Sequence, residues 1–194
     1  MNRKVYDLMD WAEIEAVTYS EEDKPKDLLG AHAVGKTGTL IQAYYPMAEA
    51  MQIKIGPKGK WTDMDMADED GFFALLTKDK LPITYKLRRT EEDGTVKEYY
   101  DPYSFPQVID KKELAKFNSG VNYEAYRILG AHMMTLFGVK GVHFAVWAPN
   151  AMRISVVGDF NGWDGRAHQM CKIDDSGIFA LFVPGVSIGA LYKF

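Results

Sequence analysis

A turn-forming segment near the end of the chain places a tryptophan where it could contact a ligand. Residues 159–162 have the sequence Asp-Phe-Asn-Gly, which favours a tight turn, and Trp163 follows directly. An exposed aromatic plane can stack on a flat apolar face of a ligand, while Lys, Asn and Asp side chains can hydrogen-bond to its polar groups. The alternative is that Trp163 packs within its own module or against another domain, and the sequence alone leaves both open.

Other residues could in principle do acid–base or metal chemistry. Acidic residues cluster at 21–23 and 63–70. Paired carboxylates can act as general acid and base, but runs of this kind are usually surface charge, so we predict no catalytic residue. His32 and His132 each follow a Gly-Ala pair, and no second ligand stands at a usual metal spacing, so we expect a loop hydrogen bond. Because Cys171 is the only cysteine, we predict no disulfide, metal or other cofactor.

The segments that carry these residues are repeated along the chain. The tetrapeptide Leu-Gly-Ala-His occurs at 29–32 and again at 129–132, and matches continue in the same order with an offset that drifts from 100 to 107. This order predicts the tandem duplication of one fold. Further matched pairs are Pro46 and Pro149, Met51 and Ile154, Ile53 and Val156, Gly56 and Gly158, Trp61 and Trp163, Gly71 and Gly177, Tyr85 and Tyr192, and Lys86 and Lys193.

Each copy has the pattern of antiparallel β-structure. Short β-branched and aromatic runs alternate with Gly, Pro, Asn and Asp clusters, at a spacing that suits a sandwich. Predicted strands lie at 40–45, 50–55, 72–76 and 83–88 in the first copy, and at 142–147, 154–156 and 178–183 in the second. Phe144 and Trp147 are expected to be core or half-buried residues of their strand.

Two helical segments flank the copies. Apolar residues on one face predict a single helix near the N-terminus, and Asp110 with Glu113 forms an N-cap pattern for a second helix between the copies. The residues on the N-terminal face are Val5, Leu8, Met9, Ala12 and Ala16. The predicted fold class is therefore mainly β, with an N-terminal helix and two tandem immunoglobulin-like β-sandwiches joined by a short helical linker.

The repeat also predicts how the chain is divided. The predicted segments are an N-terminal helix and linker (1–26), a first sandwich (27–108), a helical linker (109–128) and a second sandwich (129–194). In the first copy another strand-like run follows Tyr85 and Lys86, whereas the second copy ends at Phe194. We therefore expect the second sandwich to be truncated.

Charge and hydropathy exclude several classes of protein. The net charge is −4 and no Lys/Arg-rich run is present, so the composition is not that of a nucleic-acid binder. No stretch approaches about 18 apolar residues, and residues 1–10 lack the apolar run of a signal peptide. With its single cysteine, we expect a cytoplasmic protein that has neither nucleic-acid nor membrane partners.

Two segments of the second copy carry a family resemblance. Residues 144–151 have the sequence Phe-Ala-Val-Trp-Ala-Pro-Asn-Ala, and residues 155–166 have the sequence Ser-Val-Val-Gly-Asp-Phe-Asn-Gly-Trp-Asp-Gly-Arg. They resemble bacterial 1,4-α-glucan (glycogen) branching enzymes of the α-amylase superfamily. Asp-Pro-Tyr-Ser-Phe at 101–105 and the extra N-terminal module also match, so the resemblance covers about residues 27–194. Met133 and Gln169 stand where that family usually has proline.

The resemblance implies a role in glucan branching. The family transfers cut α-1,4-glucan segments to 6-hydroxyls, using carboxylates in a (β/α)₈ barrel that follows such modules. A chain of 194 residues is too short to include that barrel, so we expect no transferase or hydrolase activity from these residues alone. The resemblance implies a non-catalytic N-terminal region that binds or positions α-1,4-glucan or glycogen, with the C-terminal catalytic barrel of the same chain as its partner.

The resemblance also nominates binding residues. In related glycogen-binding modules, the residues that match Trp163 and Lys193 contact sugar, and with Asn161 they form the predicted carbohydrate-binding set. The first copy keeps Trp61 and Lys86 but has Pro-Lys-Gly-Lys in place of the Asp-Phe-Asn-Gly turn. For the first copy we therefore expect a packing or spacing role.

Two other functions stay open at this point. The chain could be a stand-alone glycan-binding or interaction protein, or the N-terminal part of another α-amylase-superfamily enzyme, such as a debranching or trehalose-forming enzyme. The double module and Asp-Gly-Arg at 164–166 favour branching over debranching.

Overall fold

The computed structural model describes residues 3–35 and 38–194. The described residues do not include residues 36 and 37, or Met1 and Asn2 at the start of the predicted N-terminal segment. The chain forms two compact units. Unit 1 comprises the described residues up to Glu22 and those of Lys26–Ser104, and unit 2 comprises Asp23–Pro25 and Phe105–Phe194. The four-segment division stays a prediction, because compactness does not show which segments fold independently.

Unit 1 is a sandwich of two antiparallel sheets with the orders β1-β2-β6-β5 and β4-β3-β7-β8. The facing sides of the two sheets share a core that includes the fully buried Ile41, Met51, Ile53, Phe73 and Leu87. The elements of unit 1 are α1 (Arg3–Tyr6), α2 (Trp11–Thr18), β1 (Gly30–Val34), β2 (Gly38–Tyr44), β3 (Ala48–Ile55), β4 (Trp61–Asp63), β5 (Asp65–Asp68), β6 (Phe72–Thr77), β7 (Tyr85–Glu91) and β8 (Val96–Tyr99).

Unit 2 repeats this topology. Its elements are α3 (Lys111–Asn118), β9 (Gly130–Leu136), β10 (Val139–Trp147), β11 (Val157–Gly158), β12 (Cys171–Ile173), β13 (Ile178–Pro184) and β14 (Tyr192–Lys193). The sheet β9-β10-β13-β12 has the strand order of β1-β2-β6-β5, and β11 pairs with β14 as β3 pairs with β7. The predicted tandem duplication of a β-sandwich fold is confirmed. The strand register agrees as well. Gly30 lies opposite Gln42 as Gly130 lies opposite Ala145, and Lys54 lies opposite Lys86 as Val157 lies opposite Lys193.

The structural repeat begins earlier than the sequence indicated. Asp10 caps α2 and Asp110 caps α3, and in both cases one carboxylate oxygen accepts the N–H groups two and three residues later. From these caps to His32 and His132 the offset is a constant 100 residues. The helices predicted as an N-terminal piece and a linker are thus the first element of each repeat.

These helices lie close to the first sheet of their unit. In unit 2, Leu114 of α3 packs in one buried cluster with Ala145 and Ala180 of the sheet. In unit 1, the Tyr44 hydroxyl of β2 donates a hydrogen bond of 3.4 Å to the carbonyl of Thr18, the last residue of α2. Each helix therefore packs on the side of the sheet that faces away from the sandwich core.

The prediction of one continuous N-terminal helix is wrong. The chain forms α1 and α2, because the side chain of Asp10 takes the first N–H groups of α2 and so begins a new helix there. The buried residues of α2 include Ile14 and Val17, whereas Ala12 of the predicted face is exposed.

Two predictions in the second copy also need correction. The strand predicted at 154–156 is only an isolated bridge between Ser155 and Gln169, and β11 lies just beyond it. Trp147 is 54% exposed, whereas Phe144 is 1% exposed as predicted. Trp147 lies on the face that α3 covers, but at its margin, where its ring and that of Phe117 pack edge to face with centroids 5.9 Å apart.

Both repeated histidines make the loop hydrogen bond that their spacing predicted. His32 Nε2–H donates to the Leu29 carbonyl at 3.0 Å, and His132 Nε2–H donates to the Leu129 carbonyl at 2.9 Å. Each bond ties the first strand of its copy to the preceding turn.

None of the helices within residues 3–35 and 38–194 has the length and apolar character needed to span a bilayer.

Unit 1 contains a buried carboxyl group after its last strand. Asp101 is 3% exposed; it accepts hydrogen bonds from the Tyr85 hydroxyl and, at 2.9 Å, from the Tyr103 N–H. Burial raises the pKa of Asp101 to about 6, although both hydrogen bonds act to lower it. The folded unit therefore binds this proton more tightly than the unfolded chain, for which the usual value is 3.8.

We expect Asp101→Asn to change how stability depends on pH. The stabilisation linked to the raised pKa is fully present below about pH 4 and is lost as pH rises through about 6, by at most about 3 kcal/mol. The neutral amide does not ionise, so the free energy of unfolding of the variant should rise relative to that of the wild type between pH 4 and 7. Urea unfolding followed by Trp11 and Trp61 fluorescence, with Trp147 and Trp163 changed to Phe, measures the difference. A difference that is constant with pH would contradict this assignment.

Candidate functional site

The candidate site is the turn that links β11 to the following segment of unit 2. A single 3-10 turn, Asp159–Asn161, follows β11, and then Gly162 and Trp163 both have left-handed backbones, with φ of +62° and +64°. The Trp163 N–H closes the turn by donating to the Gly158 carbonyl at 3.0 Å. Glycine is the natural residue for such a backbone, whereas tryptophan adopts it at a cost.

Asn161 holds the turn together from the inside. The side chain is 5% exposed: its Oδ1 accepts the Gly158 N–H at 2.9 Å, and its Nδ2 donates to the Val156 carbonyl at 3.0 Å and to His168 Nδ1 at 3.0 Å. The structure thus places this predicted binding residue beneath the turn, with both polar atoms of its side chain engaged.

Gly158 allows the last strand to approach the turn. A Cβ atom at this position would lie 2.3 Å from the Leu191 carbonyl oxygen and 2.6 Å from the Phe160 ring, closer than real Cβ contacts. Its absence lets β14 pair with β11, which sets Gly158 opposite Tyr192 and Val157 opposite Lys193. The pairing places exposed Lys193 opposite Val157, on the strand that leads into the Trp163 turn.

The Trp163 side chain is both displayed and oriented. Its ring is 44% exposed, and its Nε1–H donates to Asp159 Oδ1 at 3.0 Å. Directly after it, Arg166 pairs with Asp164 at 2.7 Å, and this hydrogen-bonded ion pair lowers the pKa of Asp164. The site therefore presents a half-exposed indole whose edge is fixed by a carboxylate.

An aromatic cluster anchors the turn and β14 to the sheet. The centroid of Phe144, on β10, lies 5.9 Å from that of Phe160, 4.9 Å from that of Tyr192 and 6.4 Å from that of Phe194. The turn sequence alone indicated neither this aromatic support nor the hydrogen bond from the indole N–H to Asp159. The alternation of Tyr192 and Phe194 was the signal that could have indicated the aromatic support.

The structure thus places Asn161 beneath the turn that displays Trp163, and it pairs Lys193 with Val157 on the strand that precedes this turn. Whether these residues contact sugar stays a prediction. Within the described residues, no group of three or more His, Cys, Asp or Glu side chains is arranged to hold a metal ion.

The matching position in unit 1 is only partly equivalent. Lys86 and Lys193 are equivalent, because they lie opposite Lys54 and Val157 in matched registers. The predicted equivalence of Trp61 and Trp163 is wrong. Trp61 lies within β4 opposite Lys54, and the residue near that position in unit 2 is Ala167, since Ser155 bridges to Gln169.

Two protein-family models match the chain. The model described as the N-terminal domain of the alpha-1,4-glucan branching enzyme GlgB matches residues 10–103. The model described as carbohydrate-binding module 48 (isoamylase N-terminal domain) matches residues 128–194, which include the turn and β14.

Similar curated proteins share one name. The chain is 39% identical over 183 residues to the 1,4-alpha-glucan branching enzyme GlgB of Paramagnetospirillum magneticum, and 38% identical over 188 residues to that of Synechocystis sp.. Each match covers 94% of this chain and 24% of the relative, so the chain spans about a quarter of their length. Among solved structures, apo pullulanase from Paenibacillus barengoltzii is 17% identical with a TM-score of 0.35, covering 69% of this chain and 21% of that chain.

We expect Asn161→Ala to lower the free energy of unfolding of unit 2 by about 3 kcal/mol, because it removes three buried hydrogen bonds and leaves the Gly158 N–H unpaired. Urea unfolding followed by Trp163 fluorescence measures the loss. Exposed Asn150→Ala in the same unit is the matched control and should change stability by no more than about 0.5 kcal/mol. Equal effects of the two substitutions would show that Asn161 does not hold the turn.

Proposed function

Because the chain belongs to the N-terminal region of the 1,4-alpha-glucan branching enzyme family, we propose that it positions α-1,4-glucan for the branching reaction of a longer protein. That protein would transfer α-1,4-glucan segments to form α-1,6 branches, and its catalytic barrel would follow this chain and be its partner. The observation that carries the proposal is the displayed Trp163 turn within the region that matches a carbohydrate-binding module.

We place the glucan contact of unit 2 at Trp163 and Lys193. A pyranose ring has apolar C–H faces, so it can stack on the exposed part of the indole. The Lys193 ammonium has three donors and no acceptor, which suits it to sugar hydroxyl oxygens. Asn161 takes part as a positioning residue, because its side chain shapes the backbone that presents Trp163.

The fixed ring supports this assignment energetically. The hydrogen bond from the indole N–H to Asp159 orients the ring before any ligand arrives. A side chain that is already ordered loses less rotamer freedom on binding, so more of the stacking energy appears as affinity. A single contact of this kind is weak, and its use lies in holding a long polymer that offers many equivalent sugars.

A non-catalytic contact of this kind would act by effective concentration. A glucan held on unit 2 stays near the catalytic barrel between reaction cycles, which raises the local concentration of acceptor and donor chains. For the compartment we propose the cytoplasm, on the basis of the lone Cys171.

We expect Trp163→Ala to weaken maltoheptaose binding about tenfold, the loss of about 1.4 kcal/mol that one stacked aromatic ring supplies. Isothermal titration calorimetry on the 194-residue chain measures the affinity. Lys193→Ala should weaken it less, because exposed hydrogen bonds contribute little against water.

The matched control is Trp147→Ala, which removes a ring of similar exposure, 54%, from another part of unit 2. It should leave the affinity unchanged. If Trp163→Ala binds maltoheptaose as tightly as the wild type, the proposed site is wrong.

A further inference from the structure

The outer face of the β4-β3-β7-β8 sheet in unit 1 carries two rows of polar and aromatic side chains. Successive strand residues point to opposite faces, so the neighbours of the buried Met51, Ile53 and Leu87 point away from the core. Across the sheet, the first row is Trp61, Lys54 and Lys86, continued by Tyr100 directly after β8, and the second row is Asp63, Gln52, Arg88 and Glu98. We call these eight residues the outer platform.

Cations lie over both aromatic rings of the outer platform. Arg88 Cζ lies 4.0 Å from the centroid of the Trp61 ring, and Lys86 Nζ lies 4.6 Å from the centroid of the Tyr100 ring. The rings stand at the two ends of the first row. Three strand spacings of about 4.8 Å separate their backbones by about 14 Å.

The second row is a continuous hydrogen-bonded chain. Gln52 Nε2 donates to Asp63 Oδ1 at 2.7 Å, and Arg88 donates to Glu98 through Nε at 3.2 Å and to Gln52 Oε1 at 3.5 Å. The Arg88 hydrogen bond also lowers the pKa of Glu98, which keeps this pair charged. The side chains of the row are thus held in place before a ligand binds.

The charges of the outer platform favour a neutral polar ligand. Three cations are largely offset by Asp63 and Glu98, so the face lacks the positive potential that a polyanion requires. The amide, carboxylate and cationic groups offer both donors and acceptors between two rings. Such a combination suits a polymer of sugar rings, which have flat apolar faces and carry hydroxyl groups at their edges.

We propose that the outer platform is a second α-glucan-binding surface, with Trp61 and Tyr100 as stacking residues and Lys54, Lys86 and Gln52 as hydrogen-bonding residues. The choice of α-glucan rests on the proposed function of unit 2. At Trp61 the contact includes the N–H groups of Arg88, because the guanidinium covers the indole.

The packing or spacing role expected from sequence rested on the loop at 57–60. The structure removes that argument, because Trp61 lies within β4 and not in the loop. Lys86 in the middle of the platform is also the register counterpart of Lys193 in unit 2. The two units therefore present lysines at equivalent places, each accompanied by a tryptophan that its own local structure supplies.

The test measures maltoheptaose affinity and retardation in glycogen-containing native gels, using the 194-residue chain. Trp163→Ala should leave residual retardation, and adding Trp61→Ala should weaken that residual binding about tenfold. The matched control adds Trp11→Phe instead, which changes a tryptophan of unit 1 that contacts Tyr6; it should retain the residual binding. If Trp61→Ala lowers the thermal unfolding midpoint, the Lys54→Ala, Lys86→Ala double variant replaces it and should show the same loss.

Two results would overturn the proposal. One is that neither variant changes glucan binding in the wild-type or the Trp163→Ala background. The other is that they change only the mass in light scattering, which would assign the face to a second copy of the chain. The proposed site in unit 2 fails separately, if Trp163→Ala alone leaves affinity unchanged, whatever the Trp61 variant does.

Discussion

Each repeat is organised by the need to cover both faces of one four-stranded sheet. In unit 2, β10 directs Phe144 to one face and Ala145 to the other, and both residues are buried. The aromatic cluster of the turn and β14 covers the first face, and α3 covers the second. A sheet that buries both faces removes much more apolar surface from contact with water than a sheet with one solvent-exposed face. The helix and the turn are therefore required by the same strands.

The sequence predicted the strands well because alternation and turn residues are local signals. It did not predict that the helices belong to the repeat. The two helices share their capping residues, Asp10 and Asp110, and the glutamates three positions later, but few other identities. What the copies share there is a pattern of burial, which depends on a sheet formed later in the chain. The apolar spacing near the N-terminus was misleading for a different reason: the Asp10 side chain caps a new helix there and interrupts the helix that the spacing predicted.

The candidate site shows the same division between local and long-range information. The tight turn and the display of Trp163 were predictable from residues 159–163. Asn161 and His168 lie seven residues apart, beyond the turn itself, and Leu191 and Gly158 are well separated in sequence, so the turn sequence indicates neither contact. The alignment of Trp61 with Trp163 failed because matching residue types across an insertion ignores strand register. The register pairs, by contrast, identify Lys86 with Lys193 without ambiguity.

The left-handed backbone of Trp163 has a consequence for how such modules diverge. A β-carbon in this conformation costs about 1 kcal/mol or more, which glycine or asparagine would largely avoid. Directed evolution that rewards only thermal resistance would therefore tend to discard this indole in favour of a smaller residue. Its retention in a library selected in this way would show that the contacts of the indole stabilise the fold by more than its backbone conformation costs.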